Sequence, residues 1–569
     1  MVSRIFLVIA SLSASFSALS DPLDDVIEHW LSQEFTVSTL SPAEQAEELR
    51  WFHRAAQPYR GMTIRVVSER IDTHTYESSV LTKAFEDVTG IRVVHEITGE
   101  DDLVKKIQAQ MDTGLNIYDG YINDTDFIGT HYRRQKTLVL SDYMNGAGKA
   151  FTLPTLDLED FIGLGFGTAP DGKLYQLPDQ QFANLYWYRH DWFSRPDLRR
   201  RFFDIYGYPL GVPQNWSAYE DIAEFFSDHV QEIDGVQVWG HMDYGRTDPS
   251  LGWRISDAWL SLAGMGDTGL PNGLPVDDWG IRVDGCHPVG ASVVRGGALN
   301  GPAAIYAVET YIRWLKRFAP PQARELTFTS AGEWAARGQV AQQVFWYTAF
   351  LPAMTDPDAA VTDDNGNPLW RVAPSPRGAY WEEGMKSGYQ DAGAWTFLTS
   401  TPDDRLAAAW LYAQFTVSKT VSLKKLLVGL TPIRQSDIES DTFAEHAGKL
   451  GGLVEFYRSQ ARYVWTPTGT NVPDYPALSG LWWHHISRAI RGDDSVENVM
   501  TAMAADFDER LSTIARHQGR LCEPRLNKPE TARHWLSLPG APKAARDTKP
   551  KPMTLPHEEA IRLWQSHAD

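Results

Sequence analysis

A chain of 569 residues with a formal net charge of −20, 43% hydrophobic and 12% aromatic, is too long for one ordinary core and too acidic to be drawn to phosphate backbones or anionic lipid. These quantities predict a globular protein of at least two lobes and argue against nucleic-acid or electrostatic membrane partners. The 21 Trp and 22 Tyr are an ample supply of rings on which the C–H faces of polyhydroxylated ligands stack.

The first 20 residues carry one early basic residue, Arg4, a short apolar run from Ile5 to Ala10, and small residues up to Ser20. That is the pattern of a secretory signal peptide, and no later run is apolar for the ~18 to 20 residues a membrane span needs. Export permits disulfides, and Cys286 and Cys522 are the two cysteines present. The expectation is one bridge that anchors the Gly- and Pro-rich stretch 264–301. The alternative is two buried reduced thiols.

Residues 21–60 read as a helical extension, in which Ser41 and Glu44 form a capping box with Pro42 at the first helical position. A strand is predicted over Gly61 to Ser68, a helix over Glu77 to Thr89, a strand over Ile91 to Ile97, a helix over Leu103 to Thr113 and a strand over Tyr118 to Ile122. This alternation predicts an α/β architecture, each lobe a mostly parallel sheet flanked by helices, with ligands outside the carboxyl ends of the strands. The loops 69–74 and 123–126 lie at such ends. Leu174 to Phe193 combines amides with a strand-forming aromatic run, and Pro178 excludes a helix through it. It reads as a strand crossing between lobes, with Gln180, Gln181, Phe182 and Asn184 where it leaves the first.

Further on, Ser217 is a candidate cap, Val236 to Met242 a strand, Ser256 to Ala263 and Ala303 to Phe318 helices, and Gln339 to Phe345 a strand ending at Trp346 and Tyr347. Thr362 to Asn367 reads as a hairpin turn. Gly388 to Leu398 is predicted as a second crossing strand, Thr401 to Val417 as a helix capped by Thr401, and Val428 to Arg434 as a third crossing. Two long helices, Ser479 to Arg491 and Ser495 to Gln518, precede a tail, 526–569, expected to be poorly ordered apart from a short helix near 557–566.

The sequence has no G-x-S-x-G elbow, H-E-x-x-H zinc helix, Walker loop or Cys/His array, so no catalytic residue, metal site or cofactor is assigned. Gly163-Leu-Gly-Phe-Gly167 lacks the nucleotide-loop spacing, and Glu382-Glu383, adjacent on the chain, cannot face each other across a sugar.

The runs Val67-Ser-Glu-Arg-Ile-Asp-Thr-His74, Asn184-Leu-Tyr-Trp-Tyr-Arg189, Asn215-Trp-Ser-Ala-Tyr-Glu220, Gly240-His-Met-Asp-Tyr-Gly245, Tyr389-Gln-Asp-Ala-Gly393 and Trp465-Thr-Pro-Thr-Gly-Thr470 resemble the periplasmic solute-binding proteins of ATP-driven carbohydrate importers. They look most like the long variants from rhizobia-like bacteria assigned to glycerol or related polyols. The resemblance, covering about 22–525, implies a periplasmic-binding-protein fold with three hinge crossings: lobe 1 from 61–180 plus 393–428, lobe 2 from 186–388 plus 431–525. It implies a periplasmic, non-catalytic monomer that hands a small neutral polyol, glycerol first, to membrane permease subunits. Carried over by position, it implies ligand contacts from Glu69, Arg70, Thr73, Asn123, Asp124, Gln180, Gln181, Phe182, Asp243, Tyr244, Trp346, Tyr347, Asp391 and Trp395. A secreted carbohydrate-active enzyme working through cleft carboxylates is the alternative.

Overall fold

One strand, Leu177–Arg189, is buried along its whole length and joins the two halves of a seven-stranded sheet. The computed structural model describes residues 22–265, 279–354, 359–382, 388, 390–465, 469–516, 520–538, 543–546 and 549–566. The proposed signal peptide therefore lies outside the described residues, as does part of the stretch 264–301. In chain order the sheet strands are β1 (Thr63–Glu69), β2 (Arg92–Thr98), β3 (Gly120–Asp124), β4 (Leu177–Arg189), β5 (Gln342–Trp346), β6 (Trp370–Ala373) and β7 (Gln390–Thr396). They are ordered β5-β4-β7-β3-β1-β2, with β6 also paired to β4.

The register shows where the lobes meet. The first half of β4 pairs antiparallel with β7 as far as Ala183↔Gln390, and its second half pairs with β5 from Asn184↔Trp346 onward. The strand thus changes partners between adjacent residues. β1, β2 and β3 run parallel, as the alternating strand and helix pattern predicts, so their carboxyl ends open on one edge. β7 closes this half antiparallel to β3.

Two large hydrophobic cores fill the interior, and the larger draws on both halves of the sheet, Val67 and Tyr121 as well as Trp187 and Phe345. The first includes Ile64, Val66, Phe85, Trp395, Trp410 and Phe415. Ile27, Leu49 and Phe52 of the N-terminal helices Pro22–Gln33 and Pro42–Ala55, with Phe35 between them, are buried within it, and Phe52 meets Phe415 edge-on at 5.3 Å. The Ser41–Glu44 capping box is present. The second core is larger and is dominated by aromatics such as Trp187, Trp259, Trp314 and Trp482.

Several local expectations differ in detail. Asn215, not Ser217, caps the helix Trp216–Glu224, its side chain accepting from the Ala218 amide. Pro402 itself occupies the N-cap of the helix Asp403–Thr416, and Thr401 makes no side-chain cap. The strand expected over 236–242 is reduced to Val236–Gln237, because the Ser227 hydroxyl and the Phe318 carbonyl take up the Gly240 and His241 amides. The third crossing is not a strand: the helix Lys419–Gly429 ends at Leu430, with φ 59°, and an irregular segment continues to Arg434.

The two cysteines form a disulfide, with Cα atoms 5.5 Å apart. It joins the hairpin Arg282–Asp284 and His287–Gly290 to the chain after the helix Val496–Ala515. The described part of the tail is tied down by its own backbone, contrary to expectation. Amides of Arg525 and Asn527 donate to Pro288 and Val289, and Thr554–Leu555 pairs with Val212–Pro213. The expected short helix is His557–Ser566, and its Trp564 packs on Phe456.

Candidate functional site

The carboxyl ends of the three parallel strands each deliver an acid to one cavity between the lobes. Glu69 ends β1, Glu100 opens the helix Glu100–Thr113 just after β2, and Asp124 ends β3, followed two residues later by Asp126. With Gln180 and Phe182 of β4, these residues line a space of about 450 Å³, counting its solvent-facing mouth. The opposite wall comes from lobe 2: Trp253, Phe328, Trp346 and Thr348. Trp253 lies edge-on to Trp346 at 4.9 Å and to Phe328 at 5.1 Å, so the rings fix each other's orientation.

Support for the acidic side runs inward from Glu69. Its carbonyl oxygen meets His74 Nδ1 at 3.0 Å, and the far nitrogen of that ring is 3.6 Å from Asp179. Lys425 Nζ reaches both Asp179 and Glu77 at 2.8 Å, all of it without solvent contact. Gln180 Nε2 donates to Glu69 Oε1 at 3.1 Å. Burial pushes the Glu69 carboxyl above its usual range, opposed by His74 and by the Gln180 hydrogen bond. The Asp124 carboxyl is held well above the ordinary value, first by burial and then by the neighbouring carboxylates of Glu69, Glu100, Asp126 and Asp391.

On the aromatic side, Arg254 supports the wall from behind. Its guanidinium lies 5.0 Å from the Trp346 ring and grips Asp243 through two bonds of 2.9 and 2.7 Å. Tyr311 adds a hydroxyl 3.2 Å from Asp243.

The structure therefore brings Glu69, Asp124, Gln180, Phe182 and Trp346 of the expected set onto one cavity, and not the others. Strand alternation explains Gln181, which lies on the face of β4 opposite Gln180 and Phe182, while its carbonyl accepts from Tyr347. Tyr347 spends its hydroxyl on that carbonyl and on Tyr457. Trp395 is in the first core, its indole N–H donating to Asp179 and Thr416. Asp243 is occupied by Arg254, and Tyr244 donates to the Ser250 carbonyl. Arg70 is exposed. Thr73 bonds Thr431, and Asn123 is buried against His131. Asp391 is not part of the lining; it pairs with Phe182 in the ladder and receives the Thr125 hydroxyl.

Glu100 and Asp126 were within reach of the strand-end rule, since both follow parallel strands. Trp253 and Phe328 carry no local signal, because their helices reach the cavity only through lobe packing. Among the described residues, no cluster of His, Cys, Asp and Glu is placed to hold a metal ion, and no helix is long and apolar enough to cross a membrane.

Comparison with known proteins places this arrangement in context. A solute-binding protein from Agrobacterium radiobacter K84, solved with ribitol, superposes with a TM-score of 0.60 at 17% identity, covering 79% of this chain and 99% of the other. Maltose-bound MalE3 of T. maritima gives 0.59 at 14% identity, over 79% and 100%. A protein from Agrobacterium vitis S4 with bound D-mannitol gives 0.59 at 15%, over 81% and 100%. At these identities the likeness establishes the two-lobed periplasmic-binding-protein fold. No curated protein sequence matches the chain. The family model for bacterial extracellular solute-binding proteins matches residues 81–449, and the chain belongs to that family.

Proposed function

We propose that this protein is the periplasmic capture subunit of an ATP-driven importer, holding a small polyol or sugar between its lobes and presenting it to membrane permease subunits. The observation that carries the proposal is the cavity itself: hydrogen-bonding acids and an amide at strand ends on one side, a wall of fixed rings on the other. Hydroxyls donate to such acceptors while the C–H face of the same carbon chain stacks on the rings. The ribitol- and mannitol-bound structures of similar fold support the ligand class. Glycerol is the smallest member of that class and the first to test.

The lobes we assign are 61–180 with 393–428, and 186–388 with 431–525, hinged at 180–186, 389–394 and 428–433. The partner exchange of β4 at Ala183 and Asn184 supports the first of these hinges. Closure at three linked segments keeps the lobes from twisting freely.

Calorimetry on protein refolded free of carried-over ligand tests the reading. Micromolar or tighter binding of glycerol, ribitol or mannitol is expected, with compaction seen by small-angle scattering. Binding confined to phosphorylated ligands, or turnover of a glycoside, would overturn it.

A further inference from the structure

If the cavity is the ligand site, as proposed above, its charge narrows the ligand. Among the described residues that line it there is no Lys, Arg or His. Arg70, next to Glu69 in the chain, is exposed and does not reach the lining. Arg254 stands behind Trp346 and is committed to Asp243.

Three acceptors on the lobe 1 side define the demand. Gln180 is 1% exposed and gives its Nε2 to Glu69, and its Oε1 has no hydrogen-bond partner. That amide lies close over bare backbone: a Cβ on Gly393 would come within 2.5 Å of Nε2, so the amide is held in place. Glu69 and Asp124 flank it on the same wall. A neutral hydroxyl brings one donor and two lone pairs, whereas a protonated amine brings several donors, no acceptor and a positive charge. A cation also gains from aromatic faces, and the wall supplies Trp253 and Trp346.

We propose that the preferred solute carries a protonated amine beside its hydroxyls, as an amino alcohol or amino sugar does, and that Glu69, Asp124 and Gln180 hold the amine while Trp253 and Trp346 face it. Nothing is bonded or broken; the step is binding. An ammonium beside Asp124 favours its ionised form, opposing the burial and the neighbouring acids that raise it.

The test compares size-matched pairs by calorimetry at pH 7: serinol against glycerol, and 1-amino-1-deoxysorbitol against sorbitol. The amine of at least one pair is expected to bind on the order of tenfold tighter than its neutral partner. Asp124→Asn, or Glu69→Gln should the first variant not fold, is expected to weaken the amine more than its neutral partner and so erase the advantage. Neutral members binding as tightly as the amines would overturn the amine and leave the proposed function standing. Failure of all four to bind, with ribitol, mannitol and simple sugars silent as well, overturns both.

Discussion

Thr73 Oγ1 and Thr431 Oγ1 lie 2.8 Å apart in a buried hydrogen bond that ties the short helix Asp72–Tyr76, just after β1, to the third crossing. The bond is possible because the neighbouring residue is Gly429: a Cβ there would sit 1.9 Å from Thr73 Oγ1. Gly429→Ala should therefore push the helix Lys419–Gly429 away from the ligand-side loop. A loss of about 1 to 3 kcal/mol is expected, the usual cost of overpacking. Urea unfolding checks it, and an unchanged midpoint would mean that the contact yields freely.

Lys425 is the only cation touching both Glu77 and Asp179 in the buried network under the loop 69–74, among the described residues. Removing one partner of such a group strands charge, so Lys425→Met should cost about 3 to 5 kcal/mol at pH 7. The pH dependence gives a second check. Burial and the Asp179 charge already push the Glu77 carboxyl to about 8, above its ordinary value of 4.5. Between those values the folded state binds more protons than the unfolded one, so this group's contribution falls as pH rises. Without Lys425 the Glu77 value should climb further and Asp179, now held below its usual range, should rise as well. The deficit of the variant should thus shrink as pH is lowered from 8 toward 5. A deficit independent of pH would refute the coupling.

The fold was largely legible in the sequence, and the site only in part, for separable reasons. Hydrophobic runs and turn residues placed β1, β3, β4 and β7 to within a few residues, since each is defined by its own segment. The strand-end rule found Glu69 and Asp124 for the same reason. Alternation along β4 was also readable, and applying it would have separated Gln180 and Phe182 from Gln181. Asp243 and Trp395 were beyond reach, because what removes them from the cavity is a partner distant in sequence: Arg254 for one, Asp179 and Thr416 for the other. Trp253 and Phe328 were invisible for the converse reason, entering the cavity from helices whose sequences show nothing but packing.

The Cys286–Cys522 bridge spans 236 residues of chain. In the chain-entropy model a loop of that length contributes about 5 kcal/mol, with measured gains often smaller. The bridge is embedded in further contacts. Tyr132 OH meets Cys522 Sγ at 3.3 Å, and Arg133 donates to the carbonyls of Cys286 and Thr470. The Cys286→Ser, Cys522→Ser double variant should lose about 2 to 5 kcal/mol in denaturant titrations. Equal midpoints for the wild type with and without reductant would show that the bridge adds nothing.

Trp346 and Trp395 both follow strand-like runs and are both buried, yet the structure gives them opposite consequences on mutation. Trp346 closes the aromatic wall of the cavity, so Trp346→Leu should weaken ligand binding by about 0.5 to 1.5 kcal/mol beyond its lost contact area. Trp395 donates its indole N–H to Asp179 at 3.1 Å and Thr416 at 2.9 Å, inside the lobe 1 core. Trp395→Phe keeps most of the ring volume but removes that donor, leaving buried acceptors to satisfy, at about 1 to 3 kcal/mol of stability. Its affinity for the same polyol should stay within about twofold of wild type, since a loss confined to global stability leaves the folded fraction's site intact. Thermal melts and calorimetry on the two variants side by side separate the roles. A Trp395→Phe protein of normal stability and lowered affinity would return that residue to the site.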